Sequence, residues 1–442
     1  MSTDTITARV DARFEELRAI LEDLVRIPGV SATDPAAVRR SAEAVRDRFV
    51  DAGLVDCRLL EVDGAHPAVY GELPGPDGAP TVLLYAHHDV QPPGPGWERD
   101  PFEPWEEDGR LFGRGVGDDK SGVVMHLASV LAHREAPPVG LKVFIEGEEE
   151  IGSGHLPAFL DRYGELLEAD VIVIGDSGNW RVGAPSFTTS LRGLVDCVVE
   201  VRTAGHAVHS GLFGGVLPDA ITVLSRLLAT LHHPDGSVAV PGLVARDADP
   251  LDLTDDEIRA AADAVDGLEL IGTGSLTSRL WHQPAIAVLG IDAPSTSEAA
   301  NALIPTARAR VSMRLAPGQD PTAAMDALAA HLEARADWGA EVTVHRGGAG
   351  EAFELGTESA AHEAWATGFR AAWGIEPVEI GVGGSIPFVA AFAEAMPGAA
   401  ILLTGVIDPT GNAHGPNESV DLDDLRKSCI AQAIALAELG RP

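Results

Sequence analysis

Cysteine is scarce in this 442-residue sequence, which contains only Cys57, Cys197 and Cys429. Their odd number, their wide separation and the lack of a C-x-x-C pair argue against a disulfide framework and against a cysteine-ligated zinc site. We interpret them as buried thiols of a reducing compartment. The N-terminal residues show no basic stretch followed by an apolar one, and no apolar run approaches the length of a membrane span. The sequence therefore predicts a cytoplasmic protein.

Lysine is equally scarce, and the balance of charge is strongly negative. The sequence has only Lys120, Lys142 and Lys427, and its formal net charge is −35. Such an excess of negative charge repels phosphate backbones and anionic lipid surfaces, so we exclude nucleic acid and membranes as partners. The simplest interpretation is a solvated acidic surface, and a salt-rich source would explain the acidity equally well.

The pattern of apolar runs indicates an α/β protein. Short apolar strands are predicted at Thr81–Ala86, Leu141–Ile145 and Val171–Ile174, and they alternate with helices such as Ser121–Arg134. This alternation is typical of an α/β/α domain with a mostly parallel sheet. With 442 residues, of which 45% are hydrophobic, the chain is long enough for two cores.

The pattern changes near Leu191, where the apolar alternation becomes weaker. The predicted elements then follow the order β-α-β-β-α-β, which favours a ferredoxin-like α+β domain inserted into the first domain. We predict three segments: 1–190 for the first part of the α/β domain, 191–347 for the inserted domain, and 348–442 for the second part of the α/β domain.

Metal-binding residue types recur in short segments that lie far apart in the sequence. These segments are Tyr85–Asp89, Gly117–Lys120, Glu146–Glu150, Ile174–Ser177 and Asn412–Gly415. The first, third and fourth follow predicted buried strands, and the carboxyl ends of parallel strands meet at the edge of the sheet where α/β proteins bind ligands. The sequence therefore predicts one site for two adjacent divalent cations.

The chemical properties of these residues indicate which of them could bind a metal ion and which could transfer a proton. Because residues two apart on an extended strand point the same way, Asp89 can contact the imidazole of His87 and fix its tautomer. The two oxygens of Asp118 could bridge two ions. Of Glu149 and Glu150, one can bind an ion while the other moves a proton from water to a leaving amine.

Each residue taken singly also has a structural interpretation. His87 could be a hydrogen-bonded histidine at a strand end, Asp118 or its neighbour a helix N-cap, and the glutamates a solvated acidic loop. Asp176 and His414 could likewise be structural. The combination favours the metal site, because Asp118, Glu150, Asp176 and a bridging hydroxide would balance the four charges of two divalent cations.

Together these motifs resemble the co-catalytic di-zinc peptidases, a family that includes carnosinase, aminoacylase, acetylornithine deacetylase and glutamate carboxypeptidase. The matching residues are His87-x-Asp89, Arg114-Gly115-x-x-Asp118-Asp119-Lys120, Glu146-Gly147-x-Glu149-Glu150, Asp176, His209-Ser210-Gly211 and Gly411-x-x-His414. The carnosinase-type cytosolic dipeptidases are the most similar branch, through Phe213-Gly214-Gly215, Trp281-x-x-Pro284, Arg314 and Gly383-Gly384-Ser385-Ile386-Pro387. The resemblance covers nearly the whole chain.

The resemblance implies roles for the residues of the site. The implied ligands are His87 and Asp176 for one ion, Glu150 and His414 for the other, and Asp118 for both. Glu149 is implied as the general acid and base, Asp89 supports His87, and a cis peptide is implied after Asp118. Zinc is the implied metal, with manganese or cobalt as alternatives, because imidazole and carboxylate ligands suit several divalent metals.

The inserted domain resembles the lid of this family, through which two subunits pair as a homodimer. The resemblance implies that His209 polarises the scissile carbonyl, in its own subunit or across the dimer, and that Arg314 binds the substrate carboxylate. Ser385 and Asn301 are placed near the same carboxylate. On residues alone, His209 could instead belong to a turn and Arg314 to a surface salt bridge.

We therefore predict metal-dependent hydrolysis of dipeptides or other short peptides. In this family, aspartate at the position of Asp176 accompanies dipeptidases and aminopeptidases. An N-acyl-amino-acid amidohydrolase with the same two-metal site is the alternative enzyme. A metal-binding dimer without catalytic activity is the alternative outside enzymes, and the presence of every implied ligand together with Glu149 argues against it.

Overall fold

A computed structural model describes residues 1–383 and 387–441 of the chain. These residues form two compact units. The first unit comprises 1–189, 355–380 and 387–441, and the second comprises 190–354 and 381–383. Within the described ranges, no helix combines the length and the apolar character that crossing a membrane requires.

Residues 1–191 contain five helices and the first eight strands. The helices are α1 (Thr3–Asp11), α2 (Phe14–Val25), α3 (Pro35–Ala52), α4 (Lys120–His133) and α5 (Leu156–Leu167). The strands are β1 (Val55–Leu60), β2 (Ala68–Leu73), β3 (Thr81–His87), β4 (Trp105–Glu107), β5 (Arg110–Phe112), β6 (Gly140–Glu146), β7 (Val171–Ile174) and β8 (Ser186–Leu191). A short 3₁₀ helix covers Glu149–Ile151.

The segment that follows contains seven strands and four helices. The strands are β9 (Gly193–Arg202), β10 (Val208–His209), β11 (Ala285–Asp292), β12 (Ala302–Leu303), β13 (Thr306–Leu315), β14 (Glu341–Gly350) and β15 (Phe353–Glu354). The helices are α6 (Ser210–Phe213), α7 (Ala220–Ala229), α8 (Asp255–Ala261) and α9 (Pro321–Ala334). A π-helical turn covers Ser278–His282, and a 3₁₀ turn covers Asp337–Gly339.

The remaining part of the chain returns to the first unit. Its helices are α10 (Ala360–Trp373), α11 (Pro387–Ala395) and α12 (Leu422–Leu439), and its strands are β16 (Val378–Val382), β17 (Ala400–Leu403) and β18 (Ser419–Asp421).

The first unit is built on a six-stranded sheet with the order β1-β2-β6-β3-β7-β17. The pairs β6–β3, β3–β7 and β7–β17 are parallel, whereas β2 is antiparallel to both of its neighbours. The central strands are mostly apolar, as expected for strands buried on both faces, although β6 also contains the partly buried Lys142. The predicted α/β class with a mostly parallel sheet is confirmed.

Helices cover both faces of this sheet. On one face, Val82 and Leu84 of β3 belong to the same core as residues of α2, α3, α4, α10 and α12. On the other face, the Tyr85 ring stacks on Phe388 of α11, with 4.7 Å between the ring centroids. Phe144 of β6 contacts Phe159 of α5 on the same side. Because successive strand residues point to opposite faces, one apolar strand supplies both layers.

The second unit contains a four-stranded antiparallel sheet with the order β11-β13-β9-β14. In chain order its main elements are β9, α7, β11, β13, α9 and β14. This is the β-α-β-β-α-β order predicted for the inserted domain, with the strand order of a ferredoxin-like sheet. Apolar residues on one face of β9 and β13, such as Val199 and Val311, share a core with α7 and α9. The opposite face carries ion pairs such as Arg310–Asp196.

One buried hydrogen-bond network supports the end of β3 from within the first unit. His126 on α4 is buried, and its Nε2 lies 2.8 Å from the carbonyl oxygen of Tyr85. The side-chain amide nitrogen of Gln432 lies 3.0 Å from the other ring nitrogen. Burial lowers the pKa of His126 to about 4, and the bonds to Tyr85 and Gln432 only partly oppose this effect. The ring is therefore neutral when the protein is folded at neutral pH.

We expect His126 to make the fold acid-sensitive. Because its folded pKa lies below the unfolded value of about 6.5, its contribution is complete above that pH and is lost as the pH falls toward 4. The loss amounts to about 3 kcal/mol. Chemical unfolding of metal-stripped protein between pH 7.5 and 4.5 should show a steeper loss of stability in the wild type than in His126→Gln. Parallel pH dependences would contradict this expectation.

Candidate metal centre

The register of the central strands brings three predicted site segments to one edge of the sheet. His87 at the end of β3 lies beside Glu146 at the end of β6, and Tyr85 lies beside Ile174 at the end of β7. The turn that carries Glu149 follows β6 directly. Residues that are distant in the sequence are therefore neighbours at the carboxyl ends of parallel strands.

The first group of potential ligands surrounds the buried ring of His87. Its Nε2 lies 3.0 Å from Oδ1 of Asp118, 3.9 Å from Oδ2 of Asp176 and 4.0 Å from Oε2 of Glu149. One ligand atom from each of His87, Glu149 and Asp176 lies within 4.8 Å of the others. A single divalent ion could contact these atoms.

The second group surrounds His414, which lies in the loop between β17 and β18. Nε2 of His414 lies 2.9 Å from Oδ2 of Asp118 and 3.1 Å from Oε2 of Glu150. The two oxygens of Asp118 thus face two different histidines. This is the geometry that a carboxylate needs in order to bridge two ions.

The donor set fits two divalent cations. It combines two imidazole nitrogens with several carboxylates, which suit zinc, manganese and cobalt. Oε2 of Glu150 is buried and accepts no hydrogen bond from any described residue, although His414 is close. A buried carboxylate oxygen without a donor is costly, and a cation would satisfy it.

Asp89 connects His87 to the glutamate turn. Nδ1 of His87 lies 3.1 Å from the carbonyl oxygen of Asp89 and 3.4 Å from its Oδ1. The Asp89 carboxylate also accepts hydrogen bonds from the backbone N–H groups of Glu149, at 3.3 Å, and Glu150, at 3.1 Å. One buried carboxylate therefore orients a histidine and both glutamates.

The electrostatics of the centre reflect buried like charges. Burial raises the pKa of Glu149 to about 7, assisted by the charges of Asp118 and Glu150 and opposed by His87. Burial and the neighbouring carboxylates also raise the pKa of Asp176 well above its usual range. The raised pKa values mean that the fully ionised group of carboxylates is unfavourable by itself. A bound cation would stabilise the ionised form.

The same concentration of negative charge also raises the pKa of a histidine in the centre. The nearby carboxylates of Asp118, at 2.9 Å, and Glu150, at 3.1 Å, raise the pKa of His414 to about 10. Burial would raise the pKa of Asp118, but its hydrogen bonds with His414 and His87 outweigh this effect and hold the pKa below the usual range. Asp118 therefore stays ionised more readily than Glu149 or Asp176.

The two neighbouring aspartates have different contacts. Asp119 is the N-cap of α4, where it accepts a hydrogen bond from the backbone N–H of Gly122 at 3.2 Å. It also accepts one from the backbone N–H of His87 at 3.2 Å. The side chain of Asp118 instead faces the two histidines. The peptide between the two aspartates is cis, as the resemblance implies.

Sequence reasoning missed residues that hold the ligands in place. The backbone N–H of Gln91 donates to Oε1 of Glu150 at 3.1 Å, and its side chain donates to the Glu150 carbonyl oxygen at 2.9 Å. The buried carboxylate of Glu418 accepts hydrogen bonds from the loop that precedes Asp118. No motif marks Gln91, and the only signal for Glu418 is its place in the same turn as His414.

Glu148 shows that proximity in sequence does not decide side-chain direction. Its buried carboxylate accepts hydrogen bonds from the backbone N–H of His66 and the ring of His155, both at 2.8 Å. These partners fix the start of the glutamate turn. The side chain of Glu148 therefore bonds to His66 and His155 and not to the two ligand groups, although Glu149 and Glu150 follow it directly in the sequence.

The residues predicted to bind substrate lie in the second unit, except Ser385, which lies outside the described residues. His209 ends β10 and is exposed, and its Nδ1 accepts a hydrogen bond from the backbone N–H of Gly211 at 3.0 Å. The exposed Asn301 is close by, since its carbonyl oxygen accepts from Ser210 at 3.0 Å.

Arg314 lies apart from these two residues, near the end of β13. It lines a groove of about 600 Å³ on the second unit, together with Leu194 and Ser312. Its side chain forms no hydrogen bond or ion pair within residues 1–383 and 387–441. The nearby Arg192 is buried, and burial together with the charge of Arg314 lowers its pKa to about 10.

Comparisons with known proteins agree with this arrangement. The family described as Peptidase family M20/M25/M40 matches residues 83–436. The chain is 36% identical over 412 residues to a cysteinylglycine-S-conjugate dipeptidase from Corynebacterium striatum, covering 91% of this chain and 90% of that protein. It is 28% identical over 465 residues to a Cys-Gly metallodipeptidase from Schizosaccharomyces pombe, covering 97% and 96%.

A solved structure extends the similarity to the fold. Human carnosine dipeptidase 1 has a TM-score of 0.79 with this chain at 25% identity, covering 100% of this chain and 99% of that chain. The family match spans most of the sequence, including every residue of the two ligand groups. The chain therefore belongs to peptidase family M20/M25/M40 and is a metallopeptidase.

Proposed function

We propose that the protein is a dipeptidase that hydrolyses the peptide bond of dipeptides and other short peptides at a site for two divalent cations. The observation that carries this proposal is the position of Asp118, whose two oxygens lie 3.0 and 2.9 Å from the nitrogens of two different histidines. The relatives named as Cys-Gly and carnosine dipeptidases support dipeptides as the substrate class.

The two ligand groups suggest how the ions would be held. We assign His87 and Asp176 to one ion, Glu150 and His414 to the other, and Asp118 to both. When bound, the two cations would polarise the scissile carbonyl and lower the pKa of the attacking water. Zinc is the proposed metal, and manganese and cobalt suit the same ligands.

Burial separates the roles of the two neighbouring glutamates. The Glu150 side chain is only 2% exposed, and one of its oxygens is held by Gln91. The Glu149 side chain is 22% exposed, and its carboxylate forms no hydrogen bond with the described residues. A ligand needs a fixed position, whereas a proton carrier must reach the substrate. These differences support Glu150 as the ligand and Glu149 as the proton carrier.

Glu149 can carry the proton through both halves of the reaction. Its carboxylate accepts a proton from the attacking water while the water oxygen bonds to the carbonyl carbon. It then donates that proton to the amine nitrogen as the carbon–nitrogen bond breaks. Asp89 orients Glu149 through the backbone hydrogen bond at 3.3 Å.

We further propose that Arg314 binds the carboxylate of the substrate, with His209, Asn301 and Ser385 as further substrate contacts. Arg314 has no anionic partner among the described residues, and Arg192 adds a second positive charge beside it. A peptide carboxylate would relieve this repulsion and accept two parallel hydrogen bonds from the guanidinium group. Such a contact would select short peptides with a free C-terminus.

A homodimer formed through the second unit is also proposed. β11 is an edge strand of the four-stranded sheet, and Leu289 and Ile291 on it are 62% and 53% exposed. An exposed apolar edge strand favours pairing with another chain.

A cytoplasmic location is proposed because Cys57, Cys197 and Cys429 are all free thiols.

The proposed activity should depend on restored metal. Protein stripped with a chelator should hydrolyse no peptide, and adding zinc, manganese or cobalt should restore hydrolysis together with binding of about two ions per chain. A panel of dipeptides and N-acetyl amino acids should then show turnover of the dipeptides. Turnover of the N-acetyl amino acids alone would favour the amidohydrolase, and two bound ions without any hydrolysis would contradict both activities.

Glu149→Gln should separate proton transfer from metal binding. We expect turnover to fall by about 10²- to 10⁴-fold because the amide cannot accept the water proton. The metal content, measured by atomic emission, should stay at the wild-type level. Glu148→Gln is the matched control, since it changes a neighbouring buried carboxylate that bonds to His66 and His155. Equal losses in the two variants would remove Glu149 from the proposed role.

Arg314→Ala should weaken binding of substrates that have a free carboxylate. We expect KM to rise by about 10- to 100-fold for a dipeptide, with a much smaller change for the same dipeptide amide, because a charge-assisted hydrogen bond contributes about 1.5–3 kcal/mol. Arg310→Ala is the control, because Arg310 lies on the same strand but pairs with Asp196 at 3.1 Å. An equal effect on acid and amide would contradict carboxylate binding.

A further inference from the structure

A buried ion pair lies directly behind the candidate metal centre. Arg114 and Glu418 are 1% and 0% exposed, and Nη1 of Arg114 lies 2.7 Å from Oε2 of Glu418. Neither side chain faces the two histidines. Glu418 instead contacts the backbone of the segment that carries Asp118. Arg114 contacts the backbone of the segment that carries His414.

Glu418 holds the loop before Asp118 through its backbone N–H groups. Oε1 accepts hydrogen bonds from Gly117 at 2.9 Å and from Asp118 itself at 3.0 Å. Oε2 accepts one from Gly115 at 2.9 Å, in addition to the bond from Arg114. Several donors of one short loop therefore converge on a single carboxylate, which fixes the direction in which the Asp118 side chain leaves the backbone.

Arg114 holds the opposite segment, the turn that carries His414. Its Nη2 donates to the carbonyl oxygens of His414 at 3.0 Å and Gly415 at 3.1 Å. This turn needs external support, because His414 and Asn412 adopt left-handed φ values of 62° and 58°. Such values are uncommon for residues other than glycine, although Asn and His adopt them more readily than most, and the surrounding contacts help to maintain them.

The remaining features of the pair suit this supporting role. Its opposite charges cancel, so the pair adds little net charge beside carboxylates that are already crowded. The guanidinium group also lies 5.4 Å from the centroid of the Trp97 ring, which restricts its position. Arg114 is suited to this task because its planar fork can bond a carboxylate and two carbonyl oxygens at once.

We infer that Arg114 and Glu418 are positioning residues that set the spacing between Asp118 and His414, and thereby the affinities with which the two ions bind. This inference rests on the proposed two-metal function. Outer hydrogen-bond partners of metal ligands typically change metal affinity or activity by 10- to 100-fold when they are replaced. The two residues differ in what they hold. Glu418 holds the loop of the bridging ligand Asp118. Arg114 bonds to Glu418 and, in addition, holds the turn that carries His414.

Cobalt titration of metal-stripped protein tests the inference without relying on activity. The probe is Co²⁺ alone, followed by its visible absorption and by equilibrium dialysis. Arg114→Lys keeps the positive charge but loses the fork, so we expect one Co²⁺ to bind about 10- to 100-fold more weakly and the other to bind as in the wild type. Glu418→Gln should weaken the binding of both Co²⁺ ions, because Asp118 is a ligand of both. With metal restored, kcat should fall more than KM rises.

Asp424→Asn is the matched control. Asp424 is another buried carboxylate of the first unit, and it accepts hydrogen bonds from the backbone N–H of Gly183 and from Trp373. This variant should lose stability without a change in Co²⁺ affinity. The inference would be overturned if Arg114→Lys and Glu418→Gln both bound Co²⁺ with wild-type affinity. It would also be overturned if neither variant folded, because the pair would then serve the fold alone. A wild type that binds no Co²⁺ would overturn the proposed function as well.

Discussion

Repulsion among buried carboxylates is the constraint on which the rest of this structure depends. Asp118, Glu149, Glu150 and Asp176 meet at the edge of one sheet, where burial makes each negative charge costly. Removing them from water is tolerable only if opposite charge is supplied at the same place. Two histidines supply part of it, and a pair of divalent cations would supply the remainder.

The backbone around the centre is organised to keep these groups close together. Asp89 binds the N–H groups of the glutamate turn, Gln91 binds Glu150, and Glu418 binds the loop before Asp118. Most of these contacts use backbone groups of the ligand residues, and the N–H of Gln91 bonds to Oε1 of Glu150 but not to Oε2. The ligand atoms therefore remain available to a metal, while their spacing is set by bonds that the metal does not disturb.

The fold class could be predicted because the central strands carry an unambiguous signal. β3, β6 and β7 are mostly apolar, as strands buried on both faces are, and ligand-type residues lie at or just after the end of each strand. Parallel pairing then requires those ends to meet. The joint position of His87 and Asp176 follows from this rule and needs no knowledge of the loops.

The supporting contacts could not be predicted in the same way. Gln91 and Glu418 act through backbone N–H groups, and any residue can offer such a group, so no sequence pattern marks the pairing. Glu148 illustrates the converse, because its charge lies beside Glu149 in sequence but its side chain bonds to His66 and His155. Side-chain direction in a tight turn depends on partners that are distant in the sequence.

The two histidines of the centre are supported very differently, and this difference bears on how the ions would be held. The His87 side chain is fully buried at the end of a central strand, whereas that of His414 is 56% exposed on a turn with left-handed backbone. The end of β3 is held by its pairing with β6 and by the buried ring of His126. The position of the exposed turn depends instead on the contacts that Arg114 makes from behind. The ion on the His414 side should therefore be the one whose affinity depends on Arg114, whereas Glu418 acts on both ions through Asp118.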